Sequence, residues 1–215
     1  MSYDTILFDL DGTLTDSKEG ITKSVQYALK KFDIHEDNLD NLEKFIGPPL
    51  KNSFMEYYSF AEEKAVQAVG FYREYFSVTG KFENSIYDGI KELLTKLSLA
   101  NKKLIVATSK ATVFSKEILA HFDIDKYFAH IVGCNLDGTR VEKGEIIKYI
   151  INDLMNGNSK RMVMIGDRKY DILGAKEQNI DSIAVTYGYG SMEELSSHTP
   201  THIADSVDEL YTILV

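Results

Sequence analysis

Thr5-Ile6-Leu7-Phe8-Asp9-Leu10-Asp11-Gly12-Thr13-Leu14-Thr15-Asp16 passes from a short, nearly all-apolar segment straight into two acids and a glycine. Thr5–Phe8 reads as a strand covered on both faces, since a strand with one wet face alternates apolar and polar residues. Segments of the same kind recur at Lys103–Ala107, His130–Val132, Met162–Ile165 and Ser182–Val185. Between the later ones lie apolar residues at helical spacing: Ile90, Leu93, Leu94 and Leu97, then Ile146, Ile147, Ile150, Ile151 and Leu154. Strands alternating with helices predict an α/β protein built on a doubly wound parallel sheet.

One stretch breaks the alternation. From Lys18 to Gly80 no strand-like run occurs, only helical stripes such as Ile21, Val25, Leu29 and Phe32, or Ala61, Ala65, Val69, Tyr72 and Phe76. Gly47-Pro48-Pro49 interrupts them with a firm helix breaker. This is more helix than one crossover needs. Residues 18–80 are therefore expected to form an inserted all-helical cap domain, with 1–17 and 81–215 as the α/β core. A long helical excursion packed on the sheet edge is the plainer alternative. There is no internal repeat or low-complexity tract.

A chain of 215 residues, 44% hydrophobic and 27% charged, has the composition of an ordinary globular protein. Its formal net charge of -9 repels nucleic acid and anionic lipid, so neither is an expected partner. With Cys134 as the single cysteine, no intrachain disulfide can form, which suits a reducing compartment. Met1-Ser2-Tyr3-Asp4-Thr5 lacks the basic start of a secretory signal. No apolar run approaches the ~18 residues that cross a membrane. A cytoplasmic location is the expectation, as a monomer or homodimer.

The chemistry gathers where strands end. Residues two apart in extended chain face the same side, so Asp9 and Asp11 can address one site. Two carboxylates there need a compensating cation or a shared proton, and a hard dication such as Mg²⁺ suits oxygen ligands beside phosphate. A solvated acidic turn is the plainer alternative. A calcium loop is not, because Gly12 comes too early and position 20 is Gly20 rather than the Glu an EF-hand requires. Met164-Ile165-Gly166-Asp167-Arg168-Lys169-Tyr170-Asp171 repeats the theme. A helix starting just after Asp167 would put Asp171 one turn along on the same face; a salt-bridged turn is the alternative. In Val106-Ala107-Thr108-Ser109-Lys110 the strand ends in hydroxyls, suited either to donating to phosphate or to capping a helix. Lys143, before a helix start, becomes more than a surface charge only if a tetra-acidic phosphate site needs a fixed cation. In an open α/β sheet, the carboxyl ends of the strands share one edge where ligands bind, so these clusters would converge.

With all four clusters in hand, the chain resembles the haloacid dehalogenase-like hydrolase superfamily over essentially its whole length. Asp9-Leu10-Asp11-Gly12-Thr13 looks like its first motif, Ser109 its second, Lys143 its third, and Gly166-Asp167 with Asp171 its fourth. The insert's place is similar to that of a C1-type helical cap. The resemblance implies a Rossmann-like core and a phosphoryl group carried on Asp9 as an aspartyl-phosphate. Asp11 would serve as general acid and then general base, a service worth about 10²–10⁴-fold. It also implies Mg²⁺ held by Asp9, the Asp11 carbonyl and Asp167, with Asp171 near or in its shell. Thr108, Ser109 and Lys143 would meet the phosphate. An acid at Asp11 favours chemistry in which an alkoxide leaves.

Within the superfamily the phosphoglycolate phosphatase-like branch is the most similar. Gly47-Pro48-Pro49-Leu50, Ala107-Thr108-Ser109-Lys110-Ala111 and Ile131-Val132-Gly133-Cys134-Asn135-Leu136-Asp137-Gly138-Thr139-Arg140 carry that likeness. It implies a small-molecule phosphomonoester as substrate, with Lys51 a candidate for a second anionic group. Tyr57, Tyr58, Tyr72 and Tyr75 are candidates either for the cleft or for the cap's core. Gly188-Tyr189-Gly190 is too short for a dinucleotide fingerprint and reads as a loop. A 5′-nucleotidase-like phosphatase and a sugar phosphomutase are the alternatives, and a non-catalytic binding protein is a more distant one.

Overall fold

A computed structural model describes residues 3–215. In chain order the elements begin with β1 (Thr5–Phe8), β2 (Thr15–Asp16), α1 (Lys18–Lys30), α2 (Leu50–Tyr58), α3 (Glu62–Phe76) and β3 (Ser85–Ile86). There follow α4 (Ile90–Leu99), β4 (Lys103–Ala111), α5 (Thr112–His121), β5 (His130–Cys134) and α6 (Lys143–Tyr149). The chain closes with β6 (Met162–Gly166), α7 (Lys169–Glu177), β7 (Asp181–Val185), α8 (Met192–Ser197), β8 (His202–Ala204) and α9 (Val207–Leu214). It divides into two compact units, Met1–Asp16 with Ile86–Val215, and Ser17–Ser85.

The first unit is built on a parallel six-stranded sheet in the order β5-β4-β1-β6-β7-β8. β1 is central because its four residues are buried on both faces and pair on both sides, Thr5 aligning with Lys103 of β4 and with Met162 of β6. The apolar strands and helical stripes of the sequence supply the core. Leu7, Ile105 and Met164 of the sheet pack in one cluster with Ile146, Ile147 and Ile150. Each such side chain contributes about 1.5–3 kcal/mol on burial. After Tyr149 the helix continues as wider π-helical turns over Ile150–Leu154, which keep Ile150 and Ile151 buried. In α4, Ile90, Leu93, Leu94 and Leu97 are all buried.

Several strand limits differ from the sequence reading, those of β5, β6 and β7 by a residue or two and that of β4 by more. β4 does not stop at Ala107 but runs on to Ala111, with its register to β5 shifting between Ala107 and Ala111. An irregularity of this kind re-aims side chains at a sheet's edge, and here it falls on Thr108-Ser109-Lys110. β8 has only three residues, too few to register as a strand by pattern.

The second unit is helical apart from Ser85 at its end. In α1, Ile21, Val25 and Leu29 are buried, while Phe32 lies beyond the helix end and is half-buried. α3 packs on α1 and buries Ala65, Tyr72 and Phe76. Aromatic edges close this core, Phe45 on Phe54 with centroids 5.0 Å apart and Phe32 on Phe60 at 5.1 Å. Gly47-Pro48-Pro49 leads into α2, with Pro49 in its N-cap place.

Candidate active site

Asp9 follows β1 directly, and its N–H donates to the Ile165 carbonyl at 2.9 Å, which ties the end of β1 to β6. Its Oδ1 accepts from the Leu10 N–H at 2.7 Å, and its Oδ2 lies 2.9 Å from Lys143 Nζ. The chain then folds back on itself. The N–H groups of Leu14 and Thr15 both donate to the Leu10 carbonyl, and Gly12 adopts φ +80°. A Cβ on Gly12 would run into the Asp167 carboxylate, so only glycine lets the turn and the end of β6 approach this closely. Asp167 follows β6, and Asp171 stands in the first turn of α7. The carboxylates of Asp9, Asp167 and Asp171 lie within 4.8 Å of one another, all buried.

Lys143 is the cation among them. The first residue of α6, it is 4% exposed and reaches Asp9 at 2.9 Å, Asp171 at 2.7 Å and the Ala107 carbonyl at 3.0 Å. Burial works against its ammonium, but the charges of Asp171 and Asp9 outweigh it and hold its pKa above the usual lysine value. Burial, then repulsion from Asp171 and Asp9, pushes the Asp167 carboxyl well above the ordinary range, against a hydrogen bond from Tyr189 N–H. Burial likewise pushes Asp171 up to about 6, with Lys143 opposing it. Asp11 is turned elsewhere: its Oδ2 pairs with Lys110 Nζ at 2.9 Å, while its Oδ1 is buried without a hydrogen-bond partner.

Residues 6–185 match the haloacid dehalogenase-like hydrolase family. The chain belongs to that family. The hydrolase is 49% identical to a 5′-nucleotidase of Pseudomonas aeruginosa, over 100% of its own length and 96% of the relative's. It is 54% identical to a predicted phosphatase from Clostridium acetobutylicum, whose crystal structure superposes with a TM-score of 0.97 over 100% of this chain and 99% of that one. Likeness to a phosphoglycolate phosphatase, from Colwellia psychrerythraea, stands at 29% identity over 96% of this chain and 95% of the relative. Fold and aspartate cluster together support phosphatase-type catalysis. Among the described residues, no helix is long and apolar enough to cross a membrane.

The donor set of the hydrolase suits a divalent cation. Three buried carboxylates share one nearby ammonium, which leaves excess negative charge among oxygen donors, the preference of a hard dication. Thr108 is buried and its Oγ1 accepts from the Lys110 N–H at 3.3 Å; Ser109 beside it is half-buried. Neither hydroxyl residue caps a helix, because α5 begins only at Thr112 with Ala111 before it. Lys51 belongs to the helical unit, where its ammonium pairs with Glu62 at 2.9 Å. There Tyr72 is buried and stacks on Phe76, and Tyr75 donates to Glu83 at 3.2 Å.

Two participants escaped the sequence reading. Lys110 was given no role by the sequence reading, yet its side chain is 7% exposed and holds Asp11. Gly188-Tyr189-Gly190 is a loop as expected, but it lies directly against Asp167: Tyr189 N–H donates to Asp167 Oδ2 at 2.8 Å. A Cβ on Gly188 would collide with Asp167 and the Gly12 carbonyl, and one on Gly190 with the Asp167 carbonyl. Paired glycines flanking one residue were the available signal, a mark of close backbone approach. Burial first, then a bond to Asp16 at 2.7 Å, raise the Tyr189 hydroxyl's pKa, so it stays a neutral donor.

Proposed function

We propose that the hydrolase removes phosphate from small phosphomonoesters, with nucleoside 5′-monophosphates as its substrate class. The observation that carries the chemistry is the division of labour between the two acids of one loop. Asp9 sits in the carboxylate cluster beside Lys143, whereas Asp11 is held apart by Lys110 with one oxygen left open. In this reading Asp9 attacks phosphorus as the bond to the leaving oxygen breaks, and Asp11 gives that oxygen its proton. Asp11 then takes a proton from the water that cleaves the aspartyl-phosphate, returning Asp9. Asp9, Asp167 and Asp171, with the Asp11 carbonyl, would hold Mg²⁺, which when bound supplies charge neutralisation at the phosphate oxygens. Lys143 adds fixed positive charge there, and Thr108 and Ser109 offer hydroxyl donors. That suits phosphoryl transfer, where positioning and electrostatics supply most of the rate.

The substrate class rests on likeness. The nucleotidase relative is 49% identical across the whole chain, against 29% for the phosphoglycolate phosphatase, so the family-level expectation of phosphoglycolate gives way to the nucleotide alternative. The inserted helices, residues 18–80, act as the cap of this reading, with Lys51 a candidate contact for a second anionic group. The test is phosphate release from nucleoside 5′-monophosphates, phosphoglycolate, sugar phosphates and an aryl phosphate, with Mg²⁺ or EDTA, for wild type and Asp9→Asn. Magnesium-dependent release, led by the nucleotides and lost in Asp9→Asn, is the expected outcome. Phosphoglycolate as the best substrate would overturn the substrate class, and release from no ester would overturn the hydrolysis.

A further inference from the structure

α7 presents Asp171 to the cluster, yet the residue in its N-cap place offers no side-chain acceptor. The residue before it, Arg168, has extended backbone and a side chain with donors only. The first N–H groups of a helix need acceptors, and here they come from two carboxylates. Asp171 Oδ2 reaches back to the Arg168 N–H at 3.1 Å. The Lys169 N–H donates to Glu194 Oε1 at 2.9 Å, from a helix two elements further along the chain. The same Glu194 carboxylate grips the Arg168 guanidinium at two points, Nε to Oε1 at 3.0 Å and Nη2 to Oε2 at 3.3 Å.

Glu194 is itself well held. The Ser191 hydroxyl caps α8 by accepting from the Glu194 N–H at 3.1 Å, and the next residue, Leu195, is buried with Ile172 of α7 and Ala184 of β7. The loop just before α8 supplies the Tyr189 N–H to Asp167. One short segment, Gly188 to Leu195, thus braces both ends of the turn that carries Asp167 and Asp171.

We propose that Glu194 is a positioning residue for the metal-facing turn between β6 and α7, acting through Arg168 and Lys169. It does so in two ways of the same sign. Its carboxylate fixes the first turn of α7, and hence the Asp171 side chain. It also engages the guanidinium that directly follows Asp167, which would otherwise compete with a dication for the aspartates. Outer partners of this kind commonly alter metal affinity by about 10–100-fold. The inference rests on the metal-dependent reading of the site.

Calorimetric titration of Mg²⁺ into the full chain tests it, for wild type, Glu194→Gln and, as a matched charge change on the same helix, Glu193→Gln, since Glu193 is exposed. The expected result is a Kd about tenfold weaker in Glu194→Gln alone. In turnover assays the Mg²⁺ needed for half-maximal rate rises likewise, while kcat at saturating Mg²⁺ and the substrate KM stay within about twofold. A merely structural salt bridge would lower the melting temperature and leave Mg²⁺ affinity alone. Should Glu194→Gln melt below the assay temperature, Glu194→Asp withdraws the carboxylate by one methylene and must weaken Mg²⁺ binding in the same direction. Wild-type Mg²⁺ affinity in a folded Glu194 variant overturns the proposal on its own. Failure of wild type to bind Mg²⁺ overturns it together with the metal reading.

Discussion

Lys143→Met keeps most of the side-chain volume and removes one buried charge. The ammonium lies 2.9 Å from Asp9 and 2.7 Å from Asp171, so at an effective dielectric constant near 20 each attraction is on the order of 6 kcal/mol before desolvation. Leaving the ammonium's own burial cost behind returns part of that. The net loss should match other buried pairs broken from one side, about 3–5 kcal/mol. For a chain of this size each kcal/mol moves the melting temperature by about 2–4 °C, so the core unit should melt about 6–20 °C lower in EDTA at pH 7.5. At pH 5.5 the deficit should shrink, because a carboxylate that has lost its cation can relieve the repulsion by taking a proton. Millimolar Mg²⁺ should also narrow the gap, since a dication replaces the missing charge. Circular-dichroism melts of both proteins under these conditions are the assay. A variant melting within about 2 °C of wild type in EDTA at pH 7.5 would refute the view that Lys143 neutralises the cluster.

Gly12→Ala should cost both backbone strain at φ +80° and a collision with Asp167, lowering the melting temperature and weakening Mg²⁺ binding at least tenfold, an order-of-magnitude expectation for a displaced ligand. Gly138→Ala, at φ +85° with open space around it, is the comparison that pays strain alone and should leave Mg²⁺ titrations unchanged. A pH dependence follows from Asp171, whose folded pKa of about 6 lies above the ordinary aspartate value of 3.8. The folded state therefore binds this proton more tightly, and metal-free stability falls as pH rises from about 4 to about 6. Urea unfolding in EDTA at pH 4.5 and 7.5 should show Asp171→Asn gaining on wild type by roughly 2 kcal/mol over that interval. An equal difference at both pH values would remove burial as the dominant influence on Asp171.

Much of this architecture is written in local pattern, and the exceptions have physical reasons. Thr5–Phe8 and Met162–Ile165 were legible because central parallel strands need apolar residues on both faces. β4 was cut short at Ala107 because Thr108-Ser109-Lys110 looks like the end of a strand, whereas an irregular pairing carries these polar residues on to Ala111. Asp9, Lys143, Asp167 and Asp171, which the structure brings together, announce themselves by following a strand or opening a helix. Lys110 does not, since a lysine's burial depends on a carboxylate reached through the fold, here Asp11. Tyr189 contributes a backbone N–H, a group that every residue but proline carries and that no side-chain pattern encodes. Glu194 was hidden for a related reason: an acceptor that reaches a helix start from a distant residue leaves no mark in the sequence at that start.

The central place of β1 bears on how the molecule is made. Its neighbours in the sheet begin at Lys103 and Met162, so this strand waits through the longest stretch of chain of any in the sheet before both its partners exist. Before that, the helices of Ser17–Ser85 can close on one another through contacts near in sequence, the fast kind of folding. The α/β unit instead waits on long loop closures, and its rate of formation should be set by the docking of β6. Until then Thr5–Phe8 is an apolar strand with at least one open edge, exposed to chaperone capture or to pairing with another nascent chain.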